Sequence, residues 1–332
     1  MEPEGRTATL TPLGEGITAI DTMMTGEPEL NAVYFLASAE PTLVEAGPGA
    51  DHDVIVEGLA RLGVGPGDLA HIVVTHIHVD HAGGAGALST TFPGATVWAH
   101  ERGLPHLHDP TRLVASTART YGTERMEAFY GRTLPVAASR LLAIADGDEI
   151  SLGDRTLRVI ETPGHASHHV AFQDPASGAI FTGEAVGSHL PWADAYRPAL
   201  PPPEVDVERA LESIDRIRAF SPTALLTSHF GPIQDAAQGC ERAARRIRDW
   251  SRTVHDALQR EPNIEPPELL RLLTEQASRE FLEDSGRPID LARYDVLGSI
   301  GMNAAGLSRY WRKRWERGTT LREGPAVPDL SD

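Results

Sequence analysis

Short apolar runs rich in Val, Ile and Thr, each bounded by turn residues, fill most of the first 230 positions, whereas the last 90 repeat in a helical period. The first runs are Thr7 to Leu10, Ile17 to Asp21, Ala32 to Ala37 and Thr42 to Glu45. Gly, Pro, Asn and Glu separate them, which predicts strands joined as hairpins and a meander. A helix is expected from Asp51 to Leu62, with Asp51 as its N-cap and Gly63 beyond its end. HIVVT (71–75) follows, a run of the kind that fills a strand buried on both faces. A strand at Ala95 to Ala99 precedes a polar stretch that reads as two or three helices to about Gly131. A second strand-rich half covers 140–144, 149–152, 156–161, 168–173 and 178–182. Then come a proline-rich loop (191–204), a helix from Val205 to Phe220 and the strand TALLT (223–227). Two strand-rich halves that each carry helices predict an α/β chain with two sheets packed face to face and helices outside. Beyond residue 235 three helices are expected, at about 236–260, 267–283 and 289–316, with prolines and Gly286 between them. The expected division is therefore a sandwich domain, 1–235, and a helical extension, 236–332.

Charge follows the same boundary. Residues 1–238 hold 14 bases and 31 acids, a net of −17, whereas residues 239–323 hold 16 bases and 14 acids, a net of +2. The whole chain, at −17, lacks the clustered cations needed to grip nucleic acid or an anionic membrane. The exception is RYWRKRW (309–315), where a 3.6-residue period packs the aromatics and turns the charges to water. One cysteine, Cys240, allows neither an internal disulfide nor a cysteine zinc knuckle. The N-terminus is acidic without an apolar stretch, and no run is long enough to span a membrane. A cytoplasmic protein acting on a small molecule is the expectation, with a homodimer left open.

Thirteen of the 14 histidines lie before residue 230, and three fall within THIHVDHAGG (75–84). His76 and His78, two apart on extended backbone, point the same way, and a tight turn brings Asp80 and His81 round to them. Three imidazoles and a carboxylate so close would repel if charged and cost desolvation if buried. A divalent metal bound through nitrogen and oxygen removes both penalties, and zinc suits that donor set. His165 in ETPGHASHH, Glu184 in IFTGEAVG and His229 in TALLTSHFGP each follow a predicted strand. Carboxyl ends of strands are where α/β sheets place their sites. His189, five residues after Glu184, is a candidate substrate contact. His168 and His169 are adjacent, so on a strand only one could face the site. His100, His106 and His108 read as surface groups.

HxHxDH, present as His76, His78, Asp80 and His81, resembles the signature of the metallo-β-lactamase superfamily. The resemblance extends from about residue 7 to 235 and implies an αββα sandwich with two metals along one sheet edge. It implies that His76, His78 and His165 hold one metal, that Asp80, His81 and His229 hold the other, and that Glu184 bridges them. The family's bridging residue is an aspartate in a TGD context, and here TGEAVG supplies glutamate. The helical extension is similar in layout to that of glyoxalase II, a thioesterase of the superfamily.

Two metals about 3.5–4 Å apart can activate a shared water and polarise a carbonyl or phosphoryl oxygen. No GxSxG nucleophile elbow is present, so hydrolysis rests on the metals, with Asp80 both ligating and orienting water. The expected cofactor is a pair of divalent ions, zinc first, with iron or manganese compatible. The expected substrate is a thioester or carboxylic ester, with lactones and β-lactams the nearest extensions. One alternative is an oxidoreductase like the superfamily's persulfide dioxygenases, with a single iron on His76, His165 and Glu184. A phosphodiesterase is the other, disfavoured by the negative charge.

Overall fold

A computed structural model describes residues 6–296 and 299–317. The chain packs as two compact units. The first holds the chain up to Glu161, His168–Gly183 and Thr223–Pro232; the second holds Thr162–Ser167, Glu184–Pro222 and the chain from Ile233 onward. The chain therefore passes between the units several times, the last time at Pro232/Ile233.

The first unit contains two sheets. Strands β1 (Thr9–Gly14), β2 (Ile17–Asp21), β3 (Ala32–Leu36), β4 (Thr42–Val44), β5 (His71–Val73), β6 (Thr96–His100) and β7 (Leu141–Ile144) lie in sequence order. The first four are antiparallel and the rest parallel. Between β4 and β5 runs helix α1 (His52–Arg61), and short helices α2 (Val79–Ala82) and α3 (Ala85–Thr91) connect β5 to β6. The polar stretch before β7 holds three helices, α4 (Leu104–His108), α5 (Thr111–Tyr121) and α6 (Thr123–Tyr130). The second sheet comprises β8 (Glu149–Ser151), β9 (Thr156–Glu161), β10 (Val170–Gln173), β11 (Ile180–Gly183) and β14 (Leu225–Thr227), in the order β14-β11-β10-β9-β8. Only β11 and β14 pair in parallel.

Two cores hold this unit together. Tyr34, Val73, Leu157, Phe172, Phe181 and Leu226 pack between the sheets, and Tyr34 meets Phe181 edge to face at 5.4 Å. On the other face of the first sheet, Ile20, Val33, Ile72 and Val97 pack with Ile55 and Leu59 of α1 and Leu88 of α3. Each such fully buried side chain contributes about 1.5–3 kcal/mol. The αββα sandwich expected from the sequence is the architecture observed.

Asp51 departs from the reading of it as an N-cap. Its carboxylate makes no bond to the first turn of α1 and instead accepts from Arg6 Nη1 at 2.6 Å and Thr22 Oγ1 at 2.7 Å. Burial pushes its pKa up.

The second unit holds a hairpin of β12 (Ser188–Leu190) and β13 (Ala195–Arg197), with helices α7 (Val207–Ala219), α8 (Ala236–Arg260) and α9 (Pro266–Ser285). Two more helices follow, α10 (Leu291–Tyr294) and α11 (Ser299–Glu316). The segment read as a proline-rich loop thus contains a strand. The helix expected over 289–316 is two, because Asp295 accepts from Ser299 Oγ and Ile300 N and caps a new start. Trp250 and Trp311 are fully buried, and Tyr310, Trp311 and their neighbours show the aromatics of 309–315 packed inward.

Candidate metal centre

Every candidate ligand of the first unit lies just beyond the carboxyl end of a strand. His76 and His78 follow β5, whose line is extended by Val74 N donating to Trp98 O and Val170 N donating to Thr75 O. A single helical turn, α2, then places Asp80 and His81, and Ala46 N donates to His81 O. Gly84 is required at the exit: a Cβ there would lie 2.3 Å from Ala46 O. His229 follows β14.

Three of these side chains converge. His81 Nε2 lies 3.2 Å from His229 Nε2, and Asp80 Oδ2 lies 3.7 Å and 3.4 Å from the same two nitrogens. The opposite ring nitrogens identify the tautomers. His229 Nδ1 donates to Leu30 O at 2.7 Å, and His81 Nδ1 donates to Glu45 Oε1 at 3.4 Å. In the neutral ring that far-side proton is the only one, so Nε2 is the atom left to ligate a metal. The two Nε2 atoms and the Asp80 carboxylate oxygen thus converge as one set of possible ligand atoms. Ligands on one tetrahedral metal, with bonds of about 2.0–2.1 Å, sit about 3.4 Å apart. The donor set fits a divalent ion.

His76 is buried beside this group, its ring 4.1 Å from that of His81 and 4.6 Å from that of His78. Thr75 Oγ1 gives its proton to Glu45 Oε1, so it accepts from His76 Nδ1 at 3.0 Å. That leaves His76 Nε2 facing His78 Nδ1 at 3.1 Å.

Glu45 is the residue that sequence reasoning missed. It is 1% exposed, at the end of β4, with a left-handed φ of 69°. Its oxygens take Thr75 N, Thr75 Oγ1, Ser228 Oγ and His81 Nδ1. One carboxylate thus orients imidazoles from two parts of the HxHxDH segment, the arrangement that fixes tautomers behind metal ligands. Its carboxylate also helps burial push the Tyr34 hydroxyl pKa up. The available signal was a carboxylate immediately after an apolar strand and before Gly47, the same signal that marked Glu184.

His168 and His169 both approach His76, with ring centroids 6.2 Å and 4.8 Å away. They precede β10, so strand alternation does not separate them. His100 is not a surface group: it is 5% exposed, and its Nε2 lies 3.2 Å from Glu161 Oε1.

The second unit carries its own candidate pair. His165 Nδ1 donates to Ala199 O at 3.0 Å, which turns its Nε2 to Glu184 Oε2 at 2.9 Å. A narrow cavity here is lined by Thr162, Pro163, His165, Glu184, Leu200 and Ile247. Gly164, at φ 135°, allows the turn that presents His165, since a Cβ would strike Ala210 at 2.4 Å. His189 sits on β12, buried, with its ring 5.0 Å from Tyr196 and Nε2 3.3 Å from Asp194 Oδ1.

A family model described as the metallo-beta-lactamase superfamily matches residues 27–229, which include every ligand candidate named above. The chain is 25% identical over 250 residues to the probable metallo-hydrolase YqjP of Bacillus subtilis, covering 69% of this chain and 76% of that protein. It is 31% identical over 160 residues to the acyl-coenzyme A thioesterase MBLAC2 of Gallus gallus, covering 46% of this chain but only 54% of the thioesterase. The crystal structure of ST1585, a metallo-beta-lactamase superfamily protein of Sulfolobus tokodaii, superposes with a TM-score of 0.65. At 20% identity it covers 89% of this chain and 98% of that one, and it bears on the fold alone.

Proposed function

The chain belongs to the metallo-beta-lactamase superfamily and is a metallo-hydrolase of it, and on that premise we propose that it hydrolyses a thioester or related carboxylic ester with two divalent ions. The supporting observation is the convergence of the Nε2 atoms of His81 and His229, turned towards each other beside Asp80 by hydrogen bonds on their far sides. On the resemblance of the motifs we assign Asp80, His81 and His229 to one ion and His76, His78 and His165 to the other, with Glu184 shared. Bound there, such ions supply a Lewis acid and pull the pKa of water towards neutrality.

The chain's own groups do the rest. Glu45 and Leu30 O hold the imidazoles in the tautomer that presents Nε2. Asp80, with its Oδ2 3.4 Å from His229 Nε2, is proposed to ligate the ion and to orient the attacking water. His189 is proposed as a substrate contact, five residues along the chain from Glu184. A thioester is favoured because the acyl-coenzyme A thioesterase is among the relatives, and a net charge of −17 disfavours a nucleic-acid phosphodiester. The single cysteine supports a cytoplasmic site of action. No helix among the described residues is long and apolar enough to cross a membrane.

Metal quantification on protein purified without added metal, followed by a panel of thioester, carboxylic ester and phosphodiester substrates, tests the reading. Two zinc ions per chain with thioester turnover are expected. One iron per chain with oxygen uptake on a persulfide would replace it with the dioxygenase reading, and phosphodiester turnover alone would replace it with the phosphodiesterase one.

A further inference from the structure

Between the start of α9 and one face of α11, within the second unit, runs a groove of about 1010 Å³. That is at the upper end of the range for small-molecule sites. Its floor is apolar: Ile264, Leu269, Leu270 and Ala304 line it, and Leu270 is 40% exposed. The α11 face changes character along its length. Gly301, Ala304 and Ala305 come first, and a Cβ on Gly301 would touch only Leu270 Cδ1, at 4.0 Å, so the space above it is open. One to two turns later the same face carries Arg309, Arg312 and Lys313. Arg312 Nε donates to Ser308 Oγ, and none of the three forms an ion pair among the described residues. The acids in the lining, Glu265 and Glu316, are exposed and do not pair with them.

An apolar trough that ends in three cations with no ion pair among the described residues matches a molecule built the same way. We infer that this groove binds a soluble amphiphile with a single alkyl chain and an anionic head, its chain against Gly301, Leu269 and Leu270 and its head between Arg309, Arg312 and Lys313. Charge complementarity decides against a neutral apolar partner, which would leave the cations without counterparts. A membrane is not the source: the groove is one trough in a chain of net charge −17, without the broad cationic surface that binds anionic lipid.

The test uses the full chain and dodecanoate, with calorimetry below its micellar concentration. Saturable binding of one dodecanoate at the groove is expected, and dodecanol should bind at least about tenfold more weakly, a difference of about 1.4 kcal/mol. Gly301→Leu, which fills the trough without a steric clash, and Arg309→Glu with Arg312→Glu should each weaken dodecanoate about tenfold or more, with unchanged circular dichroism. Lys313→Glu is a second head-group variant should the double substitution disturb folding. Equal binding of dodecanoate and dodecanol, or no effect of Gly301→Leu, overturns the proposal. A concentration-dependent dimer that Gly301→Leu dissolves overturns it too, by assigning the groove to a second copy. Esterase activity is not read, so failure here leaves the hydrolase reading untouched.

Discussion

At the scale of single residues, the centre depends on which ring nitrogen carries a proton, and Glu45 controls that choice for His81 directly and for His76 through Thr75. Glu45→Gln keeps the volume but replaces the anionic acceptor with an amide. Loss of such an outer partner costs about 10–100-fold in metal affinity. Calorimetric titration should show that loss at the ion held by His81, with little change in melting temperature. Unchanged affinity would mean that Glu45 only fills space. Glu184 makes a second case, since it is the one position where the chain leaves its family's pattern. Its longer side chain has an extra rotatable bond and holds a shared position less rigidly. Two unequal sites are therefore expected, the one built on three neutral imidazoles filling first. Glu184→Gln should weaken both, because a neutral amide cannot balance two dications, whereas Glu184→Asp should tighten the weaker one. Equal, tight sites unaffected by Glu184→Gln would remove it from the metal shell. The histidines were legible in the sequence because three imidazoles within six residues have few other uses. Glu45 was not, because a lone glutamate after a strand is commonplace until its partners are known.

At the scale of elements, the turn from β10 to β11 is held by one carboxylate. Asp174 accepts from Arg155 Nε at 2.8 Å, from Arg155 Nη2, and from Ala176 N, Ser177 N and Ser177 Oγ. Burial alone would raise its pKa, but the bonds from Arg155 and Ser177 outweigh it and hold the carboxyl below its ordinary range. A depressed folded pKa stabilises the fold above the unfolded value of about 3.9 and loses that contribution as pH falls through the folded one. Asp174→Ala strands Arg155, whose side chain is 7% exposed, and should cost about 3 kcal/mol or more at pH 7. Urea unfolding at pH 7 and pH 3 should show the gap between wild type and variant narrowing in acid. A constant gap would assign the loss to packing instead of charge. Strands β2 and β9 occupy the spans expected of them, β2 because it feeds both cores, Ile17 and Ala19 between the sheets and Ile20 against the helices. The stretch 289–316 misled because its apolar period runs on across a break that only the side chain of Asp295 marks.

At the scale of the whole molecule, the composition change near Gly239 falls close to the last passage between the two units, at Pro232/Ile233, and earlier passages leave no such mark. Residues 184–222 belong with the C-terminal helices. Their attachment is specific: Asn303 Oδ1 accepts from Leu200 N, Asn303 Nδ2 donates to Pro198 O, and Arg197 donates to Tyr294 O. Such side-chain bonds to a proline-rich stretch leave no periodic trace in a sequence. Gly306 is the tightest point of the attachment, since a Cβ there would fall 1.9 Å from Leu200 O. Gly306→Ala must therefore push backbone aside, and overpacking of this kind costs about 1–3 kcal/mol, the upper end applying where the obstacle is a carbonyl. Thermal melts should show that loss; a melting point equal to wild type would mean the segment yields freely. Removal of everything after Pro232 is the stronger perturbation. Helix α7 packs along α8, and β13 packs on α8 and α9, so truncation strips the apolar faces of Ala210, Ile214 and Ile217 while leaving residues 184–222 in the chain. Exposed apolar patches of that kind drive association. The truncated chain should accumulate as insoluble material, whereas a soluble product with cooperative unfolding would show that residues 184–222 hold their fold without the helices.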